Sequence, residues 1–327
     1  MGAYVSKNMA PRKVYKNSLV CNNEISIHEL FKSSGYFFRD HENQYDFLLV
    51  DEAHRLQEKS GIHYNIGENQ IKEIIHASLA SVFFVDENQM VTLKDIGSIA
   101  NIKYFAKIWD ASILEYELTS QFRLNGGDSY LDFIDHLLYN KKGNPKFHFD
   151  FQVIDSPQEL RELIRAKNTS NNARLVAGFC WTRNAKYADK QDFMDIKIGE
   201  FEASWNLKHG EPFATRINAI NEVGCIHNVQ GLEFDYIGVI IGPDLKYLNG
   251  KVITDYKKRA NTEKSLYGLY VLMKKDKEHY EQVADTIIRN TYRVLLTRGI
   301  KGCYVFACDP QLQKHLKKII EKRKIAS

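Results

Sequence analysis

Two adjacent carboxylates, Asp51 and Glu52, end the apolar run Leu48-Leu49-Val50 and are followed by Ala53-His54. That order suits nucleotide hydrolysis: a carboxylate on a rigid strand end can hold a magnesium ion, and its neighbour can orient or deprotonate an attacking water. The plainer explanation is the first turn of a helix, where acids meet the helix dipole favourably. A second acidic stretch, Asp86-Glu87-Asn88-Gln89, follows Val82-Phe83-Phe84-Val85, and Gln89 there is suited to bond a γ-phosphate or a water. Arg123 in Gln121-Phe122-Arg123 and Arg298 in Thr297-Arg298-Gly299 offer the cationic groups that stabilise a transferring phosphoryl group. Either arginine by itself is more readily a surface ion pair. Residues 226–235, IHNVQGLEFD, mix glycine with side chains suited to phosphate and ribose. Paired acids also serve metal-dependent nucleases, but two metals need more convergent carboxylates than this stretch supplies.

These residues need elements to place them. The runs Phe47–Val50 and Val82–Val85 are short, wholly apolar and closed by an acid, which predicts strands buried on both faces of a parallel sheet. Ile71–Ala80 has helical spacing and would cross between them, and the alternation in Ile113–Leu118 predicts a further strand. A helix over Asp128–Tyr139 follows, then a break at Lys141-Lys142-Gly143-Asn144-Pro145. A second alternating set comes next: strand Phe151–Ile154, helix Pro157–Ala166, and strands Leu175–Cys180, Cys225–His227 and Tyr236–Ile241. A long helix is expected from Glu278 to about Arg298, then a strand at Tyr304–Ala307 and a basic closing helix. The rhythm predicts an α/β protein of two RecA-like lobes with mainly parallel sheets. Acids placed after buried strands fall at the carboxyl edge of such a sheet, where open α/β folds bind ligands.

Composition narrows the class. The chain has 327 residues, 44% of them hydrophobic and 26% charged, enough for two ordinary domains and without a disordered signature. No apolar stretch approaches the roughly 20 residues that span a bilayer, so no membrane partner is expected. The five cysteines are scattered, form no CxxC pair and lack zinc-ligand spacing. Free thiols in a reducing cytoplasm are their plain reading. Net charge is only +4, but basic residues cluster at Lys7, Arg12, Lys13 and Lys16 and again from Lys314 to Lys324. Such clusters can meet phosphate backbones, although they are more often solvated helix faces.

In order, VDEAHR, VDENQ, SQFR, IHNVQGLEFD and YRVLLTRG resemble motifs II to VI of superfamily 1 helicases, across positions 50–300. More narrowly, AYVSKNMAPRKVY and NTYRVLLTRGIKGCYVFACD look like bacterial proteins whose helicase-like ATPase module is related to that of the Schlafen proteins. The resemblance implies ATP and Mg2+ as cofactors, with ATP hydrolysed between two lobes in the intact protein. By motif position, Asp51 and Glu52 are the magnesium and water-activating pair, Gln89 the γ-phosphate sensor, and Arg123 and Arg298 the arginine fingers. Gln230, Gly231 and Glu233 match the nucleotide-contacting motif of lobe 2. Lys7 and Asn8 match the motif that touches a single strand, and Thr182, Arg183 and His227 lie at an expected DNA- or RNA-contacting edge. The lobes are expected at 1–123 and 124–327, the second with a basic insertion near 242–277.

The departure is equally informative. The phosphate-cradling GxxxxGK[ST] loop is absent, since Gly250-Lys251 is followed by Val252 and preceded by Leu245 where the first glycine should stand. Without that loop's backbone N–H groups and lysine, the β- and γ-phosphates lose their main cradle. The expectation is a lobe 1 that is N-terminally incomplete, its P-loop segment a missing partner, and little hydrolysis by this chain alone. The competing function is a non-catalytic nucleic-acid-binding or regulatory module of helicase shape.

Overall fold

The computed structural model describes residues 1–19, 29–61, 65–118, 124–125, 127–143, 146–207 and 210–326, with the backbone only at 323–326. It divides into two compact units, Met1–Glu117 and Leu118–Ser327. Each is built on its own sheet.

Unit 1 carries a four-stranded sheet of β1 (Gly2–Ser6), β2 (Phe31–Lys32), β3 (Tyr45–Asp51) and β4 (Ser78–Phe83), in the order β2-β1-β3-β4. Every pairing is parallel. Register places Val5, Val50 and Phe83 in one row and Tyr4, Leu49 and Val82 in the next. The first row belongs to the core, with Ala3, Leu48, Ile71 and Ile74. Helix α1 (Met9–Leu19) serves the second row near β1, where Tyr15 packs edge-on to Tyr4 with ring centroids 5.8 Å apart. Further along that face Phe47, Val82 and Phe84 remain 37%, 40% and 47% exposed, so β3 and β4 are not buried on both faces as the apolar runs predict. Apolar composition records that a residue can be buried; it does not say how many faces have a cover.

Helix α2 (Gln70–His76) crosses from β3 to β4, capped by the Asn69 side chain, which accepts from the Ile71 and Lys72 amides. It stops short of Ala80, because β4 already begins at Ser78, opposite Tyr45. Helix α3 (Ile99–Ile108) follows, its first turn capped by Ser98. The strand expected at Ile113–Leu118 is not formed: residues 111–118 are irregular and exposed throughout. An alternating sequence becomes a strand only where a neighbour supplies its ladder, and among the described residues no strand lies beyond β4.

Unit 2 opens with α4 (Gly127–Tyr139), whose Tyr130, Phe133, Ile134, Leu137 and Leu138 are buried at helical spacing. Then come β5 (Asp150–Val153), α5 (Pro157–Lys167), β6 (Ala173–Ala177), the short hairpin β7 (Ile196–Ile198) and β8 (Phe201–Ala203), and β9 (Val223–Gly224). A single-turn helix α6 (Ile226–Val229) replaces the strand expected at Cys225–His227. The Cys225 amide donates to Asn228 Oδ1 at 2.8 Å, a local hydrogen bond that turns the chain out of the ladder. Strand β10 (Phe234–Ile241) leads into the antiparallel hairpin β11 (Leu245–Leu248) and β12 (Lys251–Thr254), α7 (Leu269–Met273), the long α8 (Lys277–Leu296), β13 (Gly299–Ala307) and α9 (Pro310–Ala326). The main sheet is five-stranded, β5-β13-β10-β6-β9, and parallel throughout. Consecutive residues Ile237 to Ile241 of β10 are all buried, so both faces of this sheet are covered. At Gly238 an added Cβ would stand 2.7 Å from Ile164 of α5, which measures how closely that helix sits.

Among the described residues no helix is long and apolar enough to cross a membrane. Cys180, Cys225, Cys303 and Cys308 are free thiols.

Candidate active site

Asp51 is the last residue of β3, at the carboxyl edge of the unit 1 sheet. The Tyr4 hydroxyl, from the adjacent strand, donates to Asp51 Oδ2. Burial raises the Asp51 pKa above the usual carboxylate range, and the Tyr4 hydrogen bond opposes that rise. Glu52 has φ +52°, the left-handed region that non-glycine residues seldom occupy. Strand β3 therefore ends in a sharp turn that lifts the Glu52 carboxylate off the strand line. His54 lies behind it, almost wholly buried, with Nε2 3.0 Å from Glu52 Oε2. Its other nitrogen, Nδ1, accepts from the Asp86 amide at 3.3 Å. The ring thus stands between the Glu52 carboxylate and the Asp86 amide.

The same histidine ties the first acidic strand end to the second. The ladder continues past β4, where the Phe84 amide donates to Val50 O and the Ala53 amide donates to Phe84 O, both at 2.9 Å. Asp86 then caps the turn Glu87–Gln89: Oδ1 accepts from the Asn88 amide and Oδ2 from Gln89 Nε2, each at 3.0 Å. The structure thus brings Asp51, Glu52 and Gln89 to one edge of one sheet. Gln89 is held there by Asp86.

A clamp beneath this edge was not legible in the motifs. Arg55 Nε lies 3.0 Å from Asp95 Oδ2, and both side chains are buried. Asp95 also accepts from the Val91 and Thr92 amides and the Thr92 hydroxyl. Gly97 lies so close to the turn that an added Cβ would stand 1.7 Å from Ala53 O. Residues 91–98 are therefore pressed against the Asp51–Arg55 turn. Lys7 and Asn8 follow β1 at the same edge, where Asn8 Oδ1 faces Arg55 Nη1 at 3.5 Å. Burial and the neighbouring Arg55 lower the Lys7 pKa to about 8.

In unit 2 the candidate residues fall at opposite edges of the sheet. Glu233 immediately precedes β10 and Arg298 immediately precedes β13, neighbouring strands in register at Phe234 and Gly299. The Phe234 amide donates to Arg298 O at 2.9 Å, which ties the two motifs together at the amino edge. Gln230 is buried, Gly231 turns with φ +79°, and Glu233 is exposed. Arg298 is 1% exposed, with Nε donating to Val294 O at 3.0 Å. Thr182 and Arg183 instead follow β6 at the carboxyl edge. The exposed His227 ring lies there too, 5.5 Å from the Phe179 ring.

Arg123 lies outside the described residues. Among the described residues no group of three or more His, Cys, Asp or Glu is arranged to hold a metal ion. One carboxylate at a strand end, Asp51, nevertheless suits magnesium, which commonly keeps several waters and takes one or two carboxylates beside nucleotide phosphates. Tyr4, Arg55, Asp95 and Gly97 carried no spacing signal. His54 stood inside the motif without an assigned role, and its task depends on Asp86, distant in sequence.

The family model described as "Schlafen group 3, DNA/RNA helicase domain" matches residues 1–309. A Saccharomyces cerevisiae relative, the uncharacterized protein YPL245W, is 27% identical over 299 residues, which cover 83% of this chain. The match spans 64% of the yeast protein's own length.

Proposed function

Because this chain belongs to the Schlafen group 3 DNA/RNA helicase-domain family, we propose that it is the helicase-like ATPase module of a protein acting on single-stranded DNA or RNA. Asp51 would hold the magnesium of MgATP, and Glu52 would orient the attacking water and take its proton as the bond from the γ-phosphorus to ADP breaks. Bound magnesium would neutralise charge on the phosphate oxygens. Gln89 would sense the γ-phosphate. Arg123 and Arg298 would balance charge on the transferring group, with Gln230, Gly231 and Glu233 contacting the nucleotide from unit 2. Lys7, Asn8, Thr182, Arg183 and His227 would meet the strand.

One observation supports this reading best. Glu52 is turned off the end of β3 in a left-handed conformation and is met there by a buried histidine, whose Nε2 lies 3.0 Å from Glu52 Oε2. Strain at a non-glycine residue persists where its surroundings hold it, and such places cluster at functional sites.

A GxxxxGK[ST] phosphate cradle is absent from these 327 residues, so nucleotide binding is expected to outlast hydrolysis. The test is MgATP binding and hydrolysis by this chain. Binding that Asp51→Ala weakens, with little turnover, is expected. Absence of MgATP binding, or turnover that Glu52→Gln leaves intact, would overturn the roles given to Asp51 and Glu52.

The alternative is a non-catalytic nucleic-acid-binding module. It is favoured by the absent GxxxxGK[ST] loop and by the burial of Arg298. Strand binding without MgATP binding would select it.

A further inference from the structure

Residues 255–275 of unit 2 leave the sheet after β10 and the β11–β12 hairpin, yet they are firmly rooted. Arg259 is buried at their base, with Nε 3.1 Å from Asp244 Oδ2, Nη1 2.7 Å from Ser265 Oγ and Nη2 3.0 Å from Thr291 Oγ1. The Ala260 amide donates to Phe179 O at 2.9 Å, and the Arg183 amide donates to Thr262 Oγ1 at 3.3 Å. The excursion therefore adjoins the Phe179–His227 pair and Arg183 at the carboxyl edge. Beyond this root its surface changes character. Tyr267, Tyr270 and Val271 are 73%, 64% and 63% exposed, and the Tyr256 and Tyr270 rings meet edge to face at 6.1 Å.

Charge on this surface is one-sided. Lys257, Lys258, Lys264, Lys274 and Lys275 are exposed, and none of them forms an ion pair among the described residues. The acids nearby are engaged: Asp255 with Lys246, Glu263 with Arg259, Asp276 as the cap of α8, and Glu281 with Lys277. Glu278, in the first turn of α8, is the exception among the described acids of 255–281.

We propose that this excursion is a second nucleic-acid surface, on which bases of a single strand stack against Tyr267 and Tyr270 while the surrounding ammonium groups follow the phosphates. Exposed rings interleaved with unpaired cations are what a strand with unstacked bases and one charge per nucleotide requires. An acidic protein segment would satisfy the lysines and leave the rings without a matching partner. The site extends the strand path proposed through Arg183 and His227, and it rests on that reading only in requiring that the chain meets a strand.

The experiment is fluorescence anisotropy of the 327-residue chain with labelled oligo-dT and oligo-rU of about 20 nucleotides, over roughly 50 to 200 mM salt. The double variant Tyr267→Ala/Tyr270→Ala should lose about tenfold or more in affinity. Lys274→Gln/Lys275→Gln should flatten the dependence of log K on log salt by roughly 0.7 per lysine. Both variants should keep the parent's melting temperature, and cross-linking of 5-iodouridine in the strand should fall at Tyr267 or Tyr270. Parent affinity and salt slope in both variants, with loss on Arg183→Ala, would overturn this surface and leave the wider reading standing. No strand binding by the parent at about 50 mM salt would remove both. Polyglutamate binding that the variants lose, with strand binding intact, would assign the surface to an acidic protein and overturn the proposal.

Discussion

Strand β10 of unit 2 and strand β3 of unit 1 both read as apolar runs inside parallel sheets, but they are held differently. Every residue from Ile237 to Ile241 is buried, under helices on both sides. In β3, Leu48 and Val50 are buried while Phe47, on the opposite face, is 37% exposed. Unit 1 compensates at its edge with polar contacts: the Arg55–Asp95 pair, the His54–Glu52 contact and the Asp86 cap. Unit 2 combines the fuller apolar cover with a buried ion pair of its own, Arg259–Asp244. Unit 1, with one sheet face partly open, relies more on the buried charge clamp to order the edge that bears the paired carboxylates, and its geometry is directional where apolar packing is not.

The largest effect that would break this contrast is loss of the clamp. Asp95→Ala leaves Arg55 buried without its carboxylate and should cost about 3–5 kcal/mol, read as a lower melting temperature and faster amide exchange in β1 and β3. Next is a matched pair of truncations. Ile240→Ala should destabilise unit 2 by about 2–5 kcal/mol, whereas Phe47→Ser, at a ring already 37% exposed, should cost unit 1 clearly less. Equal losses in chemical denaturation would show that the two sheets are covered alike.

A smaller effect concerns Lys7, whose ammonium is disfavoured by burial and by Arg55, bringing its pKa to about 8. Between about pH 8 and its ordinary value the unfolded chain binds the proton that the folded chain releases, so stability should rise with pH across that window. Lys7→Met should remove that rise, and NMR titration of the Lys7 side chain should give a midpoint well below those of surface lysines. The smallest effect is that of His54→Ala, which removes the ring between Glu52 and the Asp86 amide and should speed amide exchange at Asp86 without unfolding the sheet; unchanged exchange there would contradict the tie.

Much of this fold is written in local pattern. The buried stripe of α4 and the span of α8 follow from helical spacing, and β10 follows from its unbroken apolar run. What failed was whatever depends on a neighbour. Ile113–Leu118 has the alternation of a strand and no ladder partner among the described residues. Cys225–His227 is the local exception, yielding to a turn fixed by Asn228 three residues on. Motif spacing singled out Asp51, Glu52 and Gln89, because strand ends and short turns are local. Arg55–Asp95 and the approach of Gly97 to Ala53 were invisible, since they arise only when a distant loop folds back. The division of the unit 2 candidates between amino and carboxyl edges also needed the strand order, which composition does not carry.

As proposed, Asp51 and Glu52 form the magnesium and water half of an ATP site whose GxxxxGK[ST] cradle these 327 residues do not contain. MgATP binding and single-turnover hydrolysis by the chain, measured with and without single-stranded oligonucleotide, are the direct test. Binding that Asp51→Ala weakens is expected, and any turnover should fall at least about a hundredfold in Glu52→Gln. No MgATP binding, or hydrolysis that Glu52→Gln leaves intact, would rule the proposed site out.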